Sequence, residues 1–140
     1  MAAFNKFNAF VEALAEKKHD LGADTLKVLL TNTAPVATNA VKADVTEITA
    51  GNGYTAGGNT AAVTGSSQTS GTYKLVLSDP TTWTASGGSI GPFRYAVLYN
   101  DTAASDELIG WWDYGSSITL ASGESFAVDF DPTTGVLTLV

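Results

Sequence analysis

His19 is the only imidazole in this chain, and there is no cysteine. Those two facts narrow the available chemistry. Thiol nucleophiles, disulfides and Cys-ligated zinc are excluded, as are mechanisms that need two histidines. A Ser-His-Asp arrangement would have to draw on His19, and no Gly-x-Ser-x-Gly elbow accompanies it. Paired carboxylates could hydrolyse a glycoside without histidine. Asp129 and Asp131, two apart in the sequence, would share one face of a strand, and Asp106, Glu107 and Asp113 are further carboxylates of this kind. The simpler account is a solvated acidic face flanking a turn. Calcium needs six to eight oxygen ligands. Asn100, Asp101, Asp129 and Asp131 could supply some, but EF-hand spacing is absent. The glycine-rich stretches at 51–58 and 87–91 lack the Gly-Lys-Ser/Thr of a phosphate loop and read as surface loops, the first long and flexible. No catalytic residue, metal ligand or cofactor is therefore assigned.

Aromatic residues offer a different chemistry. Trp83, Trp111, Trp112 and Tyr114 could stack on sugar rings or anchor a protein interface. Adjacent residues of a strand point to opposite faces, so Trp111 and Trp112 can both be covered only in a strand buried on both sides.

The elements that position these residues follow from hydrophobic periodicity. Phe4, Phe7, Phe10, Val11 and Leu14 recur at three- and four-residue steps, which predicts an amphipathic helix over residues 3–18. Lys17, Lys18 and His19 fall in its last turn, and Leu21-Gly22 is its expected stop. After Gly22 the period changes to two. Leu26, Val28 and Leu30 share a face opposite Lys27, and residues 41–48 fit either a short strand or a helical turn. Residues 61–71 predict a hairpin with its tip at 65–71. Strands are expected at Tyr73–Leu77, in a short piece at Trp83, with Phe93, Tyr95, Val97 and Tyr99 alternating against Arg94, Ala96 and Leu98, and at Leu108–Trp112. Phe126, Val128 and Phe130 predict a further face, and Val136–Val140 a last strand.

Seven or eight short strands with regular turn signals predict a mainly β, single-domain antiparallel β-sandwich or barrel over residues 1–140. Residues 1–22 form its N-terminal helical segment and 23–140 its β body. The chain has 140 residues and net charge -7, and its residues 1–27 are neutral, so the whole deficit lies in the later part. Such a surface does not suit nucleic acid, whose binders supply Lys and Arg to phosphates. No apolar run reaches the length of a membrane span, and the first residues lack a signal-peptide pattern.

Several strings resemble the small virion proteins of tailed bacteriophages. They are Phe4-Asn-Lys-Phe-Asn-Ala-Phe-Val-Glu-Ala-Leu, Lys18-His-Asp-Leu, Asp24-Thr-Leu-Lys-Val-Leu-Leu-Thr-Asn-Thr-Ala-Pro, the segment from Trp83 to Asp101, Leu108-Ile-Gly-Trp-Trp-Asp-Tyr-Gly, and Phe126 to Leu139. The resemblance covers most of the chain by phrasing and order, without a short diagnostic motif. It implies a non-enzymatic structural protein, most similar to a capsid decoration (cement) protein, in a virion assembled in the host cytoplasm. Its expected partners are the major capsid protein and copies of itself, as a homo-oligomer on the particle. A tail or head–tail connector component and a carbohydrate-binding β module of a virion fibre are the alternatives. In this reading Phe4, Phe7, Phe10 and Leu14 of the helix, with Trp111 and Trp112, form the interface. Removing residues 1–18 would then leave a folded β body.

Overall fold

A computed structural model describes residues 2–140. The chain is mainly β. Its strands are β1 (Asn5–Lys6), β2 (Leu26–Thr31), β3 (Asn59–Ala61), β4 (Val63–Thr69), β5 (Thr72–Leu77), β6 (Trp83–Thr84), β7 (Ile90–Asn100), β8 (Leu108–Leu120), β9 (Ser125–Phe126) and β10 (Leu137–Leu139). One short helix, α1 (Asn8–Ala15), follows β1. A five-stranded antiparallel sheet has the order β1-β8-β7-β2-β3, a three-stranded sheet the order β10-β5-β4, and β6 pairs with β9. The large sheet ends in β1 on one side and β3 on the other, so it does not close into a barrel.

Its two faces carry separate cores. One face contributes Leu26, Val28, Leu30, Ala96, Leu98, Ile109 and Trp112, packed with Leu75, Leu77 and Leu137 of the smaller sheet. The opposite face contributes Leu29, Val97, Tyr99 and Leu108, covered by Phe7 and, at its margin, Trp111. A sheet covered on both sides explains the unbroken apolar run at the start of β8. Both Leu108 and Ile109 fit because Leu98 pairs with Gly110 while Tyr99 pairs with Leu108, so β8 holds one extra residue there.

The N-terminal segment departs from the expected helix over 3–18. Asn5 and Lys6 are strand, paired with Trp111 and Gly110. Phe7 precedes α1, with its N–H on Ile109 O at 3.2 Å, and Asn8 N–H donates to Ala37 O at 2.8 Å. These contacts to distant backbone outweigh the helical period at Phe4 and Phe7. The helix also stops early, well before Gly22. Lys17 takes a left-handed conformation (φ +65°), Lys18 N–H reaches back to Ala13 O and Lys17 N–H to Leu14 O. That pair of bonds is a Schellman turn, built here without glycine.

Two further expectations are sharpened and one changes. Residues 41–48 contain a 3₁₀ turn at Lys42–Asp44. The hairpin tip narrows to Ser70-Gly71, both at positive φ, because β4 and β5 run on to Thr69 and Thr72. Residues 51–59 are pinned rather than loose. Tyr54 is buried, its hydroxyl donates to Glu47 Oε1 at 2.7 Å and accepts from Leu30 N–H, and Gly57 N–H reaches the same carboxylate oxygen. Tyr99 closes the loop by donating to Gly57 O. Gly58, at φ +74°, lies so close to Val28 O that a Cβ would sit 1.8 Å from it. Glycine is needed there for approach as well as for dihedral freedom.

Candidate functional site

Of the expected interface residues, Phe7, Phe10 and Trp112 are buried, and Phe4, Leu14 and Trp111 are half-buried. Phe7 is 0% and Phe10 1% exposed. The Phe7 ring packs 4.5 Å from Trp111 and the Phe4 ring 5.5 Å from Trp112, so the N-terminal aromatics grip both faces of β8. Gly110 makes room for this grip, since a Cβ there would fall 2.2 Å from the Phe4 ring. Leu14 is half-buried against the main core. A partner therefore meets little of Phe4, Phe7, Phe10 and Leu14, and the exposed apolar residue of α1 is Val11. Trp112 is buried and Trp111 half-buried, each on its own face. Trp83 is fully buried and unavailable to a sugar.

An aromatic cleft of about 150 Å³ opens where β7 and β8 lose register. Tyr95 pairs with Asp113 and Phe93 with Ile118, so β8 bulges outward over residues 114–117, with Gly115 at φ +103°. The same slip moves Phe93 to the face opposite Val97 and Tyr99, which breaks the simple alternation expected along β7. The bulge lifts Tyr114 into solvent, where it is 56% exposed. Its ring stands edge-on to Phe126 at 5.6 Å, and Phe126 stands edge-on to Phe93 at 4.9 Å. Trp112 and Phe130, 5.2 Å apart, line the inner part. Only β9 of the expected Phe126–Phe130 strand is regular; residues 127–130 run unpaired along the cleft wall.

Arg94 and Asp113 fix the rim. Arg94 Nε donates to Asp113 Oδ1 at 2.8 Å and Nη2 to Oδ2 at 3.0 Å, a two-pronged contact. Asp113 Oδ1 also accepts Gly115 N–H at 2.8 Å, which ties the ion pair to the bulge. The guanidinium, and then that N–H, hold the Asp113 carboxyl below its ordinary value, while the carboxylate raises Arg94.

Several of the titratable residues singled out by type have structural partners. Asn100 Oδ1 accepts Thr102 and Ala103 N–H, which orients its amide, so Nδ2 donates to Asp24 Oδ2 at 2.6 Å and meets His19 Nδ1 at 3.0 Å. His19 Nδ1 must therefore accept, and the ring is neutral with its proton on Nε2. Burial pushes its pKa down against the opposing fields of Glu107 and Asp24. Ser66 lines the same open cavity of about 520 Å³, but its hydroxyl bonds to Tyr73, not to His19. Asp131 accepts Thr133 and Thr134 N–H at a turn, and those bonds lower its pKa. Asp129 is exposed and does not share a strand face with it. Asp101 pairs with Lys27 at 3.3 Å. Among the described residues no group of three or more His, Asp or Glu could hold a metal ion.

The cleft was legible only in part. Tyr114 and Trp112 are flagged by residue type, but Phe126 and Phe93 join them only through the register slip, which leaves no mark in the periodicity. The chain matches no family model, no curated protein and no solved structure.

Proposed function

We propose that this chain is a structural protein of a tailed-phage virion that decorates the capsid exterior and stabilises the shell by adhesion. Its two main sheets are read as the layers of a sandwich, and the core between them, with Val28, Leu30, Leu75 and Leu77, is built from apolar side chains. The aromatic cleft carries the reading. Its volume is that of one side chain, its outer ring is exposed, and an ion pair holds its rim. A buried aromatic anchor in a small pocket, ringed by polar groups, is the usual energetic centre of a protein interface. Binding of many copies to the assembled lattice, and not to free subunits, stabilises the shell by mass action.

The test is co-sedimentation with capsids of the matching phage, followed by heating. Tyr114→Ala should abolish attachment and the gain in capsid heat resistance, while the free protein melts as before. Unchanged attachment would remove the cleft from the interface. A second reading, a carbohydrate-binding module of a fibre, draws on Trp112 and Tyr114 lining one cleft with Arg94 and Asp129 beside them. It requires quenching of tryptophan fluorescence by glycans, with no affinity for capsids.

A further inference from the structure

The longest strand at the edge of a sheet is β4, and no charged residue or proline in its sequence guards it. The other edge strands are short: β1 has two residues, one of them Lys6, and β3 and β10 have three each. β4 runs for seven residues, Val63-Thr-Gly-Ser-Ser-Gln-Thr, with β5 on one side and solvent on the other. Edge strands present unpaired N–H and C=O groups, and proteins blunt them with lysine, proline or inward charge. β4 has none of these. Its one irregularity lies between Val63 and Gly65, which leaves Gly65–Thr69 in continuous register with β5.

The charge distribution indicates what pairs with this edge. In a chain of net charge -7, residues 48–73 carry no charged side chain. The single cation of the hairpin, Lys74, donates to Thr133 O at 2.8 Å and is drawn towards the β10 side, away from β4. Such an edge has no charge with which to select a charged partner. The charged side chains beside Ser66, Lys17 and Lys18 with Asp20 and Asp24, cancel, so two acidic copies meet little net repulsion here. We infer that β4 is a self-pairing edge: two copies join their β4 strands antiparallel about a two-fold axis near Ser67, giving a continuous sheet β10-β5-β4-β4-β5-β10. A two-fold interface uses the same patch twice, and a strand of small neutral residues is complementary to itself. The regular part of the edge is only five residues, about 17 Å long, so the dimer is weak and concentration-dependent. This inference does not rest on the capsid reading.

The absence of cysteine makes a direct test possible. Ser67→Cys in the full chain places two thiols across the axis, where directly opposed Cβ atoms lie about 5 Å apart. Mild oxidation should give a covalent dimer about tenfold faster than it does for Ser116→Cys, an exposed position on the β8 bulge. Sedimentation equilibrium of the unmodified protein should show a mass rising from monomer towards dimer with concentration. Ser67→Glu, which sets like charges face to face across the axis while facing Lys74 within its own hairpin, should weaken that dimer about fivefold or more without lowering the melting curve. A monomer at every concentration overturns the inference. So does cross-linking of Ser67→Cys no faster than the control, or a dimer indifferent to Ser67→Glu.

Discussion

Phe7→Ala distinguishes an N-terminal segment that belongs to the fold from one kept for a partner. The Phe7 side chain is fully buried, lies 4.5 Å from Trp111 and shares a core with Leu29, Val97, Tyr99 and Leu108. Truncation removes the transfer free energy of the ring and leaves a cavity that these neighbours can only partly fill. Such changes destabilise by about 3–5 kcal/mol. The second core has few members, so little else can compensate, and the full range applies. At this chain length 1 kcal/mol moves the melting temperature by about 3–4 °C, so the variant should melt about 9–20 °C lower. Val11→Ala on the exposed side of α1 is the control and should stay within about 0.5 kcal/mol of the parent. Scanning calorimetry or circular dichroism at 222 nm reads both. A Phe7→Ala protein that melts with the parent would refute the reasoning, and would return the segment to the role of a detachable interface. Deleting residues 1–18 follows the same logic: it strips β1 from β8 and opens both cores, so loss of the folded state is expected.

Three further outcomes are expected. Gly110→Ala should destabilise by about 1–3 kcal/mol, because its Cβ would meet the Phe4 ring at 2.2 Å and Asn5 O at 2.7 Å; amide exchange should rise first in residues 4–7. Gly58→Ala and Gly87→Ala have nearly the same φ, +74° and +76°, but only Gly58 faces backbone. Both should lose about 1–2 kcal/mol to dihedral strain, and chemical denaturation should show Gly58→Ala well beyond that. His19 supplies a pH dependence. Its folded pKa lies below the ordinary 6.5, so the unfolded chain binds the extra proton; stability is full above 6.5 and falls as pH drops through the folded value. His19→Gln should flatten the melting temperature across that window. The lowered carboxyls Asp44, Asp113 and Asp131 have an ordinary value of 3.8, so their stabilisation is lost only at more acid pH.

Strand identity was largely legible because it depends on local alternation. Leu26, Val28 and Leu30 do share a face, and Leu108–Trp112 is packed from both sides. What periodicity does not encode is where a strand slips against its neighbour. One extra residue in β8 near Ile109 and the larger bulge at 114–117 decide which aromatics meet. The N-terminal stripe misleads for a related reason. Phe4, Phe7 and Phe10 fit a helical period, but the chain sets Phe4 and Phe7 on either side of β1, against β8, and only Phe10 lies within α1. A backbone edge was available there, and a one-sided helix would have left it unpaired.

The carboxylates show how a lysine-poor β protein uses its acids. Asp24, Asp44, Glu47, Asp113, Glu124 and Asp131 each accept from at least one backbone N–H that a loop or turn would otherwise leave open. Loops are long here and the helix is short, so many backbone donors lie outside ladders, and one carboxylate can satisfy two of them at once, as Asp44 and Asp131 do. Of the carboxylates that suggested a catalytic pair, Glu107, Asp113 and Asp131 each accept a backbone N–H at a turn or bulge. The neutrality of residues 48–73 fits the same economy: Glu47, just before them, helps hold the loop that follows through Tyr54 and Gly57, and the exposed β4 edge beyond carries no charge. Leaving that edge uncharged gives up the ordinary protection against pairing. A β4 edge that pairs with itself would turn that exposure into directed contact, because it carries no charge of its own while the chain as a whole carries -7.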